Sequence, residues 1–202
     1  VMVPTDNRWA FPVNAGFTLA DTWLGKPVPT APQPVEKMVL RYLAAFGPAT
    51  PGDAQAWSGL PGMREVFESL RPKLLTFRDE RKRVLFDLPD APRPDSDTPA
   101  PVRFLPEYDN IVLSHDDRTR VVADEHRSSL ILKNLVVVGS FLVDGFVAGT
   151  WRIDVKKKVA ELLVQPFAAL SKRVRAAVEA EGLSLLAFLE PEASDGAVRF
   201  VK

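Results

Sequence analysis

The stretch FLPEYDNIVLSHDDRTR, Phe104 to Arg120, marks the entry into the second half of the chain. Two apolar runs, Phe104-Leu105 and Ile111 to Leu113, flank Glu107, Tyr108, Asp109 and Asn110. A polar string follows in which His115, Asp116, Asp117, Arg118 and Arg120 are nearly contiguous. The apolar half reads as a strand end entering a core. Unpaired charges are rarely buried, so the polar half must face water, a ligand or phosphate, or pair internally. Arg118 and Arg120 suit phosphate contacts or salt bridges to the acids beside them better than His115 suits catalysis. General-base work needs hydrogen-bond reach to a water, which adjacency in sequence does not supply.

Composition sets the frame. The 202 residues suffice for one large or two small domains, with 46% apolar and 26% charged residues, as in soluble globular proteins. With no cysteine and only His115 and His126, thiolate metal sites are excluded, and neither metal nor cofactor is expected. No apolar run approaches the ~20 residues that span a bilayer, so a cytoplasmic protein without a membrane partner is expected. Net charge is zero, which argues against bulk attraction to nucleic acid. Charge is nonetheless segregated: Arg64 to Arg83 holds seven basic and four acidic residues, and Lys156 to Arg175 six basic and one acidic. A one-sided electrostatic footprint and a solvated helix face both give such counts.

Upstream of the opening stretch, Val35 to Phe46 places Val35, Met38, Val39, Tyr42, Leu43 and Phe46 at helical spacing, and Gly47-Pro48 stops it. Thr50 can cap the next short helix, with Pro51 at its first position. Met63, Val66, Phe67 and Leu70 mark a third helix. Leu74 to Phe77 and Val84 to Leu88 predict strands around the charged tip Arg78 to Arg83. This order predicts a winged helix over residues 34–88, with Arg64 in the first turn of the recognition helix and Arg81, Lys82 and Arg83 at the wing tip as phosphate contacts. Before it, residues 1–33 read as the end of a preceding winged helix plus a proline-rich connector. The Thr5-Asp6-Asn7 turn and the alternating Trp9 and Phe11 suggest a hairpin over Val1 to Val13, and the opening reads as cut from something longer.

Downstream, residues 89–101 are a proline-rich acidic linker, and residues 102–202 form the second domain. Leu135 to Val143, Phe146 to Val155 and Val159 to Val164 predict strands, divided by Asp144-Gly145 and by Lys156, Lys157 and Lys158. Gly149 beside Trp151 suggests a bulge or close packing under the indole. Pro166 is expected to open a helix, with Gly182 as a kink or end, and Ala197 to Val201 to return as a strand. The fold class is α+β: a winged helix followed by a small antiparallel β-barrel or curved sheet with a covering C-terminal helix.

At LPEYDNIVLSHDDR, Leu105 to Arg118, and DGFVAGTW, Asp144 to Trp151, the chain resembles the AlkZ-like winged-helix proteins, a bacterial family that includes DNA glycosylases unhooking interstrand crosslinks. The resemblance covers nearly everything from Val1 onward, and VPTDNRWAF resembles the tail of a preceding winged helix. It implies tandem winged helices, a β-barrel, and a barrel hairpin that probes the minor groove, for which Asp144-Gly145 and Lys156 to Lys158 are candidates. The family's catalytic motif, Gln-apolar-Gln or Gln-apolar-Asp, is absent: neither Gln33, Gln55 nor Gln165 fits it. No catalytic residue is therefore assigned, and whether the chain is an enzyme stays open.

The expectation is a monomeric, duplex DNA-binding, C-terminal part of a DNA-repair glycosylase-like protein. Its DNA-facing residues would be Arg64, Arg81, Lys82, Arg83, His115, Arg118, Arg120, Lys156, Lys157 and Lys158. A winged-helix transcription regulator and a non-catalytic structural or protein-interaction module are the rival readings.

Overall fold

The structure, a computed structural model, describes residues 2–3, 16–29, 33–133 and 135–201. Val1–Pro34 and Val35–Lys202 form separate compact units. In the first, β1 (Met2–Val3) pairs antiparallel with β2 (Gly16–Phe17), and α1 (Ala20–Leu24) ends at Gly25, whose φ of 63° closes the helix. Most of the hairpin expected over Val1 to Val13, its turn and both aromatic residues included, lies outside the described residues. No helix among the described residues is long and apolar enough to cross a membrane.

In the second unit the apolar spacing becomes three helices and a hairpin. The helix α2 (Val35–Phe46) buries Val39, Tyr42 and Leu43. A reciprocal capping box starts α3 (Pro51–Ser58): Asp53 N donates to Thr50 Oγ1 at 3.1 Å, and Thr50 N donates to Asp53 Oδ2 at 2.8 Å. Met63, Phe67 and Leu70 line the buried stripe of α4 (Met63–Leu70). The strands β3 (Leu75–Arg78) and β4 (Val84–Asp87) form an antiparallel hairpin, and Ala49 adds a short bridge to Phe86 beside it. Phe67 meets Phe86 edge-on at 5.2 Å within a core that also holds Val39, Tyr42, Leu43, Met63 and Leu74.

The remaining residues build a five-stranded sheet in the order β5 (Arg103–Leu105), β6 (Ser140–Val143), β7 (Phe146–Lys156), β8 (Val159–Pro166) and β9 (Asp195–Phe200). Of the two forms expected, a small antiparallel β-barrel or a curved sheet, the described residues form no closed barrel. The sheet stays open with β5 and β9 at its edges, and β9 pairs parallel to β8. That parallel step follows from α7 (Lys172–Leu189), which carries the chain back across the sheet between the two strands. The helix starts later than Pro166 predicts, because Pro166 still pairs with Gly149 while Ser171 Oγ accepts from Val174 N at 3.2 Å as the cap. Gly182 lies inside α7 without ending it. A Cβ there would sit 2.8 Å from Leu162 Cδ2, so glycine lets the helix approach the sheet. Gly139 takes the place under the Trp151 indole that sequence suggested for Gly149, which packs under Phe141 next to a β-bulge.

Ile111 to Leu113, which resemble a strand end, instead form one helical turn, α5 (Asn110–Leu113), because the Asp109 carboxylate accepts from Ile111 N at 2.8 Å and caps it. A second short helix, α6 (Arg127–Leu130), follows and buries Leu130.

The residues just after α5 tie the helices to the sheet domain by polar contacts. Tyr42 Oη donates to Ser114 O at 2.7 Å in a buried site, and burial pushes the phenol far above its usual pKa, so it stays a donor. Asp53, 3% exposed, uses its second carboxylate oxygen to accept from Asp116 N at 3.0 Å and Asp117 N at 3.4 Å. His115 Nε2 lies 3.0 Å from Phe46 O and Nδ1 lies 2.9 Å from Ser114 Oγ. A carbonyl only accepts, so Nε2 carries the proton and Nδ1 accepts from the serine hydroxyl. Burial, reinforced by the nearby Arg120 charge, pushes the imidazole below its usual pKa and keeps it neutral. Asp117 Oδ2 binds Arg81 Nη1 at 2.8 Å and Arg83 Nη2 at 2.7 Å, while Oδ1 accepts from the Thr119 hydroxyl at 2.6 Å. The Thr119 hydrogen bonds and the two guanidinium charges hold its pKa down to about 2.

Two stability predictions follow from these contacts. Asp53→Ala removes half of the capping box and leaves backbone N–H groups of the joint unpaired, a loss of ~2 kcal/mol. A thermal melt should show a fall in Tm of about 6 °C for a chain of this size. Asp117 has a depressed pKa in the folded state, so its contribution is fully present above the unfolded carboxylate value near ~4 and disappears as pH falls through about 2. Urea titrations of wild type and Asp117→Asn should therefore differ by ~1 kcal/mol at neutral pH, allowing for solvent screening of the exposed arginines, and converge between about pH 4 and pH 2.

Candidate nucleic-acid interface

Of the exposed cations of the second unit, those singled out at helix and hairpin ends lie at three places. The first is the start of α4, where Arg64 is exposed in the opening turn. The preceding residue, Gly62, sits at φ 78° and supplies no side-chain cap, leaving the helix's first N–H groups open to a partner. Glu65 in the same turn partly cancels the Arg64 charge.

The second place is the β3–β4 tip. Glu80 and Arg81 are the central residues of its turn, which the Lys82 N–H closes by donating to Asp79 O at 2.9 Å, and Lys82 follows the turn in the left-handed conformation at φ 61°. Its neighbours are committed inside the fold. Arg83 binds Asp79 at 2.6 Å as well as Asp117, and Arg81 binds Asp117 while its side chain remains 61% exposed. Burial opposes the charge on Asp79, but its hydrogen bonds and ion pair with Arg83 win and lower its pKa. The tip therefore offers Lys82 and the outer face of Arg81, with Arg83 serving as the brace.

The third is the β7–β8 turn. Lys156 pairs with Val159 across the hairpin, so Lys157 and Lys158 form a two-residue turn with φ of 49° and 67°. Both central positions are left-handed, as a type I′ turn requires, and asparagine or glycine meets that demand with less strain. Lysines hold it here. Ser194 N anchors the turn by donating to Lys158 O at 2.8 Å, and Lys156 Nζ lies 2.7 Å from Asp154, whose hydrogen bond raises the ammonium pKa. The Asp144-Gly145 turn at the other end of β7 uses the same left-handed pair, φ 52° and 79°, without a cation.

The remaining residues singled out from sequence have mixed positions. His115 is buried with both ring nitrogens engaged. Arg120 is exposed and donates to Pro48 O at 2.9 Å. Arg118 Nε donates to His115 O at 3.2 Å, and its head turns into a shallow cleft it shares with Arg127. Thus Arg81, Arg83, His115, Arg118 and Arg120 are gathered around one loop, whereas among the described residues no hydrogen bond or ion pair joins Arg64 or Lys156 to Lys158 to that group. Sequence reasoning missed Tyr42, Asp53 and Arg127. The capping box was a visible signal for Asp53, but its second role at the joint had none, and Arg127 lies in a segment without periodicity.

Chemically, the arrangement offers cationic tips and one arginine-lined cleft, suited to holding phosphates. Among the described residues no group of acids and histidines is placed to hold a metal ion.

Comparison with known proteins agrees with the fold. The Streptomyces sahachiroi DNA glycosylase AlkZ has a similar structure, with a TM-score of 0.72 and 26% sequence identity over 93% of this chain and 52% of that one. The chain thus spans about half the length of that protein. A comparison with curated proteins gives no match. A family model described as DNA glycosylase AlkZ-like matches residues 1–188, and the chain belongs to that AlkZ-like family.

Proposed function

We propose that this chain is a duplex DNA-binding part of a DNA-repair glycosylase-like protein, with the catalytic motif absent from its own residues. The α2–α4 helices and the β3–β4 hairpin serve as a winged helix, and the sheet domain grips the backbone beside it. The observation that carries the reading is the lysine turn at the end of the β7–β8 hairpin. The strain of two left-handed lysines is maintained where their charge is most exposed, in a chain of a DNA glycosylase family. Beyond Trp151, β7 has β8 on one side and no ladder to β6 on the other, so this end of β7 is an open edge, while β9 flanks β8 up to Val159.

Phosphate contacts in this reading come from Arg64, Arg81, Lys82 and Lys156 to Lys158. Arg83, His115 and Arg120 hold the loop and the wing tip in place, and the protein acts as a monomer. The transcription-regulator reading is weaker, because Arg64 and Glu65 together give the opening turn of α4 little net charge with which to enter a groove.

Fluorescence anisotropy with duplex DNA tests the proposal. The wild type should bind in low salt and lose affinity steeply as salt rises. The Lys156→Ala, Lys157→Ala, Lys158→Ala triple variant should bind about tenfold or more weakly, with a log–log salt slope shallower by ~2 to 3. Absence of binding at low salt defeats the reading. Lys82→Ala should weaken all duplex sequences alike, since a phosphate contact carries no sequence information. An enriched motif in random-site selection would instead favour the regulator.

A further inference from the structure

Beside the loop that joins the helices to the sheet lies a shallow cleft of about 590 Å³, lined by Arg118, Asp124, Arg127, Ser128, Ile131 and Leu135. Two guanidinium groups and one carboxylate line it, leaving a net charge of +1 (two arginines less one aspartate). Arg118 is fixed at its root by the hydrogen bond from Nε to His115 O. Its Nη1 is buried and has no hydrogen-bond partner among the described residues. Burial, and then the charge of Arg127, lower the Arg118 pKa, and the Asp116 carboxylate offsets part of that.

A buried donor on a charged group is costly to leave unpaired, and a second cation beside it raises that cost. The arrangement becomes favourable once an anion lies between the two forks, because guanidinium groups present paired N–H donors in the geometry of phosphate oxygens. The Ser128 hydroxyl adds a neutral donor at the same wall. Asp124 disfavours a cluster of several phosphates but leaves enough positive charge for one. Leu135, 76% exposed and held at φ 63°, gives the rim an apolar surface suited to the sugar of a phosphodiester more than to a bare hydrated ion.

We infer that this cleft is a subsite for a single backbone phosphate, bound between Arg118 and Arg127. The nature of the phosphate, a nucleic-acid phosphodiester, rests on the DNA-binding reading above; the site itself rests on the geometry of the two arginines.

The test uses the full chain with inorganic phosphate as the first probe and duplex DNA as the second. Arg127 is exposed, and among the described residues its side chain makes no hydrogen bond or ion pair, so Arg127→Gln should fold as the wild type does. Phosphate titrated to saturation should raise the wild-type Tm by about 2 to 5 °C more than that of Arg127→Gln or Arg118→Gln. An equal response of wild type and Arg127→Gln overturns the subsite. In anisotropy, Arg127→Gln should weaken duplex binding about three- to tenfold and make the salt slope shallower by ~1. A phosphate response that depends on Arg127, with unchanged duplex affinity, overturns the backbone assignment. The same response in a chain that binds no duplex supports the subsite and defeats the duplex reading.

Discussion

Asp53 has two oxygens and a different task for each. One closes the capping box at the start of α3, and the other receives the backbone N–H groups of Asp116 and Asp117. The orientation of a helix and the position of a loop 63 residues later in the chain are thereby set by a single buried carboxylate. Tyr42 and His115 complete the joint, each directing a polar atom to a backbone carbonyl across it. Such a joint is specific in a way an apolar patch is not, since a small slip would leave several buried donors and acceptors unpaired. The β3–β4 tip is then fastened from outside by Asp117, so its charged surface is referenced to the same loop.

That fastening decides which cations are available to a partner. Arg83 is committed to two aspartates, Arg81 to one, and Lys82, exposed between them in sequence, to neither. Charge counts along the sequence treat these three alike, but the fold separates brace from contact. The zero net charge of the chain hides local differences: several acids are paired to arginines in structural roles, Glu80 is exposed beside Arg81 and Lys82, and the β7–β8 turn exposes Lys157 and Lys158 with no acid between them. A neutral total is therefore compatible with a locally positive surface.

The helical half was legible because its signals are local. Apolar spacing from Val35 to Phe46, Thr50-Pro51 at a helix start and Met63 to Leu70 each specify an element without reference to distant residues. The antiparallel strands around Asp144-Gly145 and the lysine turn were legible for the same reason. Parallel pairing of β9 was not, since nothing in Ala197 to Val201 states which neighbour it will meet or in which direction. Ile111 to Leu113 resembled a strand because three branched or apolar residues carry no period, although the Asp109 cap that turns them helical is a local signal two residues away. The polar string from His115 to Arg120 could be read as charged but not as a joint, because its partners, Asp53, Phe46 and Pro48, lie some 60 to 70 positions away.

The parallel pairing of β8 with β9 also orders the assembly of the sheet in time. Hairpins such as β6–β7 and β7–β8 close over a few residues, whereas Val159 meets Asp195 only after the whole of α7 has been traversed. The entropy of that closure must be met before any of the six β8–β9 residue pairs contributes. Gly182 then acquires a kinetic meaning: by letting α7 settle closely onto Leu162 it places the helix where it can deliver β9 to its partner. On this ordering the three-strand meander is the template and the edge strand is added by helix docking, so the contacts that close last are those that begin beside the lysine turn, where Ser194 N donates to Lys158 O.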